Sequence, residues 1–276
     1  MPYAEHKGVR LYWEEQGEGE PLLLVMGLSF TLEMWFRIVP ALASQYRVIL
    51  FDNRGVGRSD VPPGPYSIGV MAEDAMAILE AAGVRRPAFL MGASMGGMIA
   101  QEMVLRYPDR FRALLLGCTA CGPVFRAAWP NFARAPGFWR WLRLRGEERE
   151  RAVTPLLYSD STPHERIDED IRMRAACQAS VNGVLNQLVA ILRWSSYRRL
   201  PKIRIPTLVV HGDQDHMLPA ANGQMVATRI PNAEFVLLPQ TGHIITTDQP
   251  ELAAKIVLDF LERVVLPDLD VQESLT

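Results

Sequence analysis

The stretch Phe89-Leu90-Met91-Gly92-Ala93-Ser94-Met95-Gly96-Gly97-Met98-Ile99-Ala100 decides the fold. A short apolar run, Pro87 to Met91, leads into Gly92-Ala93-Ser94-Met95-Gly96. A helical pattern from Met95 to Tyr107 follows at once and stops before Pro108. Gly-x-Ser-x-Gly between a strand and a helix puts the serine on a tight, strained turn, with its hydroxyl projecting from the end of the sheet. A Cβ at either glycine would collide with the adjoining strand or helix. The free backbone N–H groups at the start of the helix point back toward the serine. Negative charge would gather there if the serine oxygen attacked an acyl carbon.

Outward from this turn, short apolar runs alternate with helical patterns. Strands are expected at Val9 to Glu15, Leu22 to Met26, Arg47 to Phe51, Ala113 to Thr119, Pro206 to His211 and Glu234 to Leu238. Helices are expected at Leu32 to Ser44, Ile68 to Ala82 (closed by Gly83) and Gln249 to Arg263. Such alternation predicts an α/β fold with a mostly parallel, twisted sheet and helices on both faces. Residues 121–200 break the rhythm, with no convincing strand and many aromatic residues, and are too long for a plain crossover. They read as a helical cap inserted into a core made of residues 1–120 and 201–266, with 267–276 as a frayed acidic tail.

Composition narrows the class. The chain has 276 residues and a formal net charge of -2. No basic stripe is present to neutralise phosphates, so neither nucleic acid nor an anionic membrane is an expected partner. The arginines between Arg140 and Arg151 alternate with Glu147, Glu148 and Glu150, as on a solvated helix face. No apolar run approaches the length of a membrane span, and Leu22 to Met26 is too short for a signal sequence. Cys118, Cys121 and Cys177 make an odd count with no metal-ligand pairing, as in a reducing cytoplasm. The oligomeric state stays open, a homodimer being one option.

A serine attacks only when a base removes its proton. Of His6, His164, His211, His216 and His243, only His243 follows a strand on a glycine-preceded loop and lies after a candidate acid. His6 lies before the expected sheet, and His164 falls in a polar loop of the insertion. The acid must hold the imidazole in one tautomer and stabilise it when protonated. Asp215, in His211-Gly212-Asp213-Gln214-Asp215, is the choice, because the intervening loop lets its carboxylate turn back toward His243. Asp213 is left to bond loop amides. The order Ser94, Asp215, His243 matches the elbow class. Two backbone donors complete such a site: the N–H of Met95, and the N–H of Leu28 in the turn Gly27-Leu28-Ser29. The side chains of Leu28 and Met95 are expected to shape the pocket. A further string, Asp52-Asn53-Arg54-Gly55-Val56-Gly57-Arg58-Ser59, lacks the ending of a phosphate loop and reads as scaffolding.

These strings, with Gly242-His243, resemble the α/β-hydrolase fold superfamily, in particular its serine-esterase and cofactor-free haloperoxidase-like branch. The resemblance implies an eight-stranded sheet with a helical cap over the active site. It supports Ser94 as nucleophile, His243 as base and Asp215 as acid. Met26-Gly27 replaces the usual His-Gly, and Ala93 stands where a histidine often precedes the nucleophile. Neither change removes a backbone donor.

The expected activity is hydrolysis of small to medium apolar esters or lactones, with neither metal nor organic cofactor. Activity should fall on acidification as the base takes up a proton. Trp129, Phe132, Phe138 and Trp139 of the insertion would roof the pocket, with Met98 and Met217 as wall residues. The same three side chains could serve carbon–carbon bond hydrolysis, perhydrolysis or hydroxynitrile lysis. From a different class, they could survive in a small-molecule receptor. A carboxylate-nucleophile enzyme, such as an epoxide hydrolase or dehalogenase, is disfavoured by Ser94.

Overall fold

Leu22, Leu23, Leu24 and Val25 are all fully buried, and their side chains alternate between two separate apolar cores. A strand whose two faces are both covered reads as a continuous apolar run, and this one lies at the centre of the sheet. The computed structural model describes residues 2–122, 143–177 and 180–273, the last eight of them by their backbone alone.

Eight strands are described: β1 (Tyr3–His6), β2 (Val9–Gln16), β3 (Glu20–Val25), β4 (Tyr46–Phe51), β5 (Ala88–Ala93), β6 (Phe111–Gly117), β7 (Thr207–Gly212) and β8 (Glu234–Leu238). Their spatial order is β1-β2-β4-β3-β5-β6-β7-β8. The pairs β1–β2 and β2–β4 are antiparallel, and the remaining neighbours are parallel. The chain order reverses beside β3 and β5, and there the loops at the strands' C-terminal ends open a crevice. His6, expected ahead of the sheet, instead ends β1 and pairs in register with Val9. Four residues with little alternation gave that strand no sequence signal.

The described α-helices are α1 (Val39–Ala43), α2 (Ile68–Ala81), α3 (Met95–Arg106), α4 (Gly146–Arg151), α5 (Thr154–Leu157), α6 (His164–Ala176), α7 (Val181–Leu192), α8 (Ala221–Arg229), α9 (Ile245–Asp248) and α10 (Pro250–Glu273). The expected helix from Leu32 to Ser44 is broken into a 3-10 turn, Leu32–Trp35, and the short α1, with Pro40 starting the second piece. His164 begins α6 rather than sitting in a loop. Helix α10 runs past Arg263, because Leu261, Val264 and Val265 keep the helical spacing that packs it on the sheet. The backbone of 267–273 continues this helix.

Candidate active site

Ser94 joins β5 to α3 with φ 55 and ψ -120. A non-glycine residue in that region is strained by roughly 1–3 kcal/mol and persists only where its surroundings enforce it. Close packing does so here. A Cβ at Gly96 would lie 2.0 Å from the Val25 carbonyl oxygen, and one at Gly92 would lie 2.3 Å from the Gly96 carbonyl oxygen. The Ser94 N–H is held by the Gly117 carbonyl at 2.8 Å, and its own carbonyl accepts the Thr119 hydroxyl at 2.7 Å. A serine before a helix ordinarily turns its hydroxyl onto the helix's N–H groups. Ser94 does not, so its Oγ is left for another partner.

That partner is His243, on the loop after β8. Its Nε2 lies 3.0 Å from Ser94 Oγ, and its Nδ1 lies 2.7 Å from Asp215 Oδ2. A carboxylate only accepts, so Nδ1 carries the hydrogen and Nε2 presents its lone pair to the Ser94 hydroxyl. The His243 loop is fixed from the insertion: its N–H donates to the Leu157 carbonyl at 2.8 Å. Asp248 holds the same loop, accepting the N–H groups of Gly242 and Ser159 and the Thr162 hydroxyl.

Asp215 is 5% exposed. Oδ1 accepts the Leu218 N–H at 2.7 Å, and Oδ2 lies 3.1 Å from His211 Nε2 as well as close to His243. Burial pushes the carboxyl up. The His243 charge and the hydrogen bonds from His211 and His243 outweigh it and hold the group well below the usual carboxylate range. Asp213 takes the other role: its Oδ1 accepts the Thr241 N–H at 3.2 Å.

An apolar cavity of about 870 Å³, mouth included, opens beside Ser94 and His243. Leu28, Phe30, Trp35, Val153, Leu157 and Met217 contribute walls. Gly27 brings the turn Gly27–Phe30 against the serine, since a Cβ on it would lie 3.0 Å from Ser94 Cβ. Met95 is the first residue of α3, where the backbone N–H has no carbonyl partner in its own helix. The side chain of Met95 does not line the cavity, and neither does Met98. Both lie on the α3 stripe with Ile99 and Met103 that packs into the core. Helical spacing of 3 and 4 explains this: the stripe faces the sheet. Trp129, Phe132, Phe138 and Trp139 lie outside the described residues.

Four contributors had little or no sequence signal. Met34 and Trp35 reach the cavity because the expected helix breaks after Trp35. Cys118, read as a small buried thiol at a strand end, is that and also lines the cavity. Its Sγ, a carboxylate oxygen of Asp215 and a ring nitrogen of His243 all lie within 4.8 Å of one another. His211 stands behind Asp215. Its Nε2 lies 2.8 Å from the Leu218 carbonyl, which only accepts, so Nε2 carries the hydrogen.

A strained serine at a strand–helix turn, an imidazole and a carboxylate behind it, and an open α/β sheet define a class. The family model described as alpha/beta hydrolase fold matches residues 20–250, and the chain belongs to that family. It is an enzyme, a hydrolase. Among its relatives, the chain is similar to a poly(3-hydroxyalkanoate) depolymerase of Ectopseudomonas oleovorans, with 31% identity over 88% of this chain and 84% of that one. Among solved structures it is similar to a thermophilic esterase from Thermogutta terrifontis, with 29% identity, a TM-score of 0.84, and coverage of 95% of this chain and 98% of that one. It is also similar to the enol-lactonase from Burkholderia xenovorans LB400, with 28% identity, a TM-score of 0.81, and coverage of 95% and 100%. Among the described residues, no single helix is long and apolar enough to cross a membrane.

Proposed function

We propose that the protein hydrolyses small to medium apolar carboxylic esters or lactones through an acyl-enzyme on Ser94. One observation carries the reading: Ser94 Oγ, His243 and Asp215 form a hydrogen-bonded series at the wall of an apolar cavity. In the first half-reaction Ser94 Oγ bonds to the acyl carbon, and its proton passes to His243 Nε2. The carbonyl oxygen takes up negative charge and is met by the N–H groups of Leu28 and Met95. Loss of one such donor costs about 2.7–4 kcal/mol in the barrier. The tetrahedral centre collapses, the bond to the alcohol oxygen breaks, and His243 returns the proton to that oxygen. In the second half-reaction water attacks the acyl carbon, gives its proton to His243, and the acid leaves as Oγ regains a hydrogen. In a lactone the leaving alcohol stays tethered to the acyl group.

The cavity walls select apolar acyl groups, and residues 121–200 act as the cap that supplies Val153 and Leu157. The three cysteines are free, which fits the reducing cytoplasm proposed for the protein. The names of the esterase, enol-lactonase and depolymerase relatives support ester-bond chemistry.

A chromogenic ester and lactone panel tests the proposal with wild type and Ser94→Ala. Turnover should fall by about 10³-fold or more in the variant. A fluorophosphonate should label Ser94 and no other residue in the folded protein. Tight ligand binding with negligible turnover in both proteins would favour a receptor and overturn the proposal.

A further inference from the structure

Gln187 lies on α7, within the insertion, and is fully buried. A buried side-chain amide costs stability unless both of its ends are bonded. Gln187 bonds both ends to backbone, and both partners lie outside the insertion. Its Oε1 accepts the Ser29 N–H at 3.0 Å, and its Nε2 donates to the Arg54 carbonyl at 2.9 Å. Because one partner is a donor and the other an acceptor, the orientation of the amide is fixed. The rest of the buried face of α7, including Val184, Leu188, Ala190 and Ile191, is largely apolar. An apolar residue would have filled position 187 without any polar group to satisfy.

The Ser29 bond matters because of the turn that contains it. The Phe30 N–H bonds the Gly27 carbonyl at 3.4 Å, closing a four-residue turn. Ser29 is its third residue, with φ 65. That left-handed position suits glycine, so a serine there tends to flip the preceding peptide into a commoner turn. The Gln187 oxygen meets the Ser29 N–H only while the Leu28–Ser29 peptide keeps its present orientation. The other end of the clamp is rigid. Arg54 makes two bonds to the buried Asp74, at 2.5 and 2.6 Å, and Asn53 donates to the Met26 carbonyl at 2.9 Å.

We propose that Gln187 is a positioning residue for the oxyanion site. It reaches out of the insertion to hold the turn that presents the Leu28 N–H beside Ser94. The inference rests on the reading of Leu28 as an oxyanion donor. It makes the insertion part of the catalytic geometry rather than only a roof over the substrate.

The test uses the full-length protein and p-nitrophenyl butyrate. Gln187→Leu and Gln187→Met both remove the acceptor, and the flexible methionine refills the space if leucine does not fold. Each should lower kcat by about 10- to 100-fold with KM changed less than about twofold, since a displaced donor acts on the transition state. Inactivation by a p-nitrophenyl phosphonate, normalised to folded protein, should slow by the same factor, because its tetrahedral adduct uses the same donors. Gln187→Glu, neutral at this buried site, accepts the Ser29 N–H through its carbonyl and donates its O–H to the Arg54 carbonyl, and should stay within about threefold of wild-type kcat. Wild-type kcat in the leucine or methionine variant would overturn the inference, as would a glutamate variant as slow as leucine. Failure of the proposed serine-dependent hydrolysis looks different: wild type and Ser94→Ala would then turn over the ester equally.

Discussion

His211 Nε2 lies 3.1 Å from Asp215 Oδ2, the same oxygen that takes the His243 Nδ1–H at 2.7 Å. One carboxylate oxygen is thus pinned between two imidazoles, and the other by the Leu218 N–H. The inner ring is fully buried and also donates to the Leu218 carbonyl. Replacing it with a ring that cannot donate leaves the buried Leu218 carbonyl without its partner and removes the N–H that faces Asp215 Oδ2. An unpaired buried acceptor costs about 1–3 kcal/mol.

His211→Phe should therefore lower kcat by about 10-fold with a small change in KM, and should lower Tm by several degrees. His211→Gln carries an N–H at a similar reach and should recover most of the lost kcat. Steady-state kinetics and thermal unfolding of both variants check this. A His211→Phe enzyme with wild-type kcat would show that Asp215 does not need its second donor.

The elbow makes a prediction about folding. A methyl group at Gly96 meets the Val25 carbonyl oxygen at 2.0 Å, whereas one at Gly83 meets nothing within 4 Å. Gly83 has φ 70, so alanine there costs only the backbone penalty of about 1–2 kcal/mol. Gly96→Ala must push β3 away from α3 and should cost about 3 kcal/mol or more. Denaturant unfolding should show the Gly96 variant far less stable than Gly83→Ala, or recover it only as aggregate. Equal stabilities would mean that the elbow can relax.

The parts of this enzyme legible in its sequence are those with a local physical signature. Gly92, Ser94 and Gly96 announce a turn, and the apolar run of β3 announces a buried strand. Gly242 before His243 marks a loop at a strand end. Parts set by distant contacts left no such trace. Nothing around Gln187 says that its amide meets loops 133 and 158 residues away. Met98 looked available for a pocket wall because helical spacing gives a stripe but not the direction in which the stripe faces. Trp35 was hidden by a pattern that continues through Ser44, although Pro40 restarts the helix.

Glu102 links α3 to the end of the insertion and gives a pH prediction. It is 3% exposed, and its Oε2 accepts from Trp194 Nε1 and Arg199, both at 2.8 Å, while its Oε1 accepts from Arg106 at 2.6 Å. Burial pushes its carboxyl up, but the bonds from Arg199, Trp194 and Arg106 outweigh that and leave it lowered. A carboxyl lowered by folding makes the unfolded chain bind more protons in the window between the two values, so stability rises with pH there. The contribution is complete above the unfolded value of about 4.3 and is lost as pH falls through the folded value. Both arginines are more than a third exposed, which limits the contribution to about 1–2 kcal/mol. The deficit of Glu102→Gln should be constant from pH 8 to about 5 and narrow below about 4. Urea unfolding across that range measures it, and a deficit that widens toward pH 3 would contradict the sign.

Cys118 faces the cavity close to Asp215 and His243, yet it should be chemically silent. Burial raises its thiol well above the ordinary range, and the charge of Asp215 adds to that effect. The thiolate is the reactive form, so at pH 8 almost none is available to an alkylating reagent. Iodoacetamide at that pH should leave activity intact for hours, and mass spectrometry should find Cys118 unmodified until the protein is unfolded. Cys177, which is only partly buried, should label first among the three thiols. Rapid labelling of Cys118 in the folded enzyme, with loss of ester turnover, would show that the cavity stabilises a thiolate beside His243.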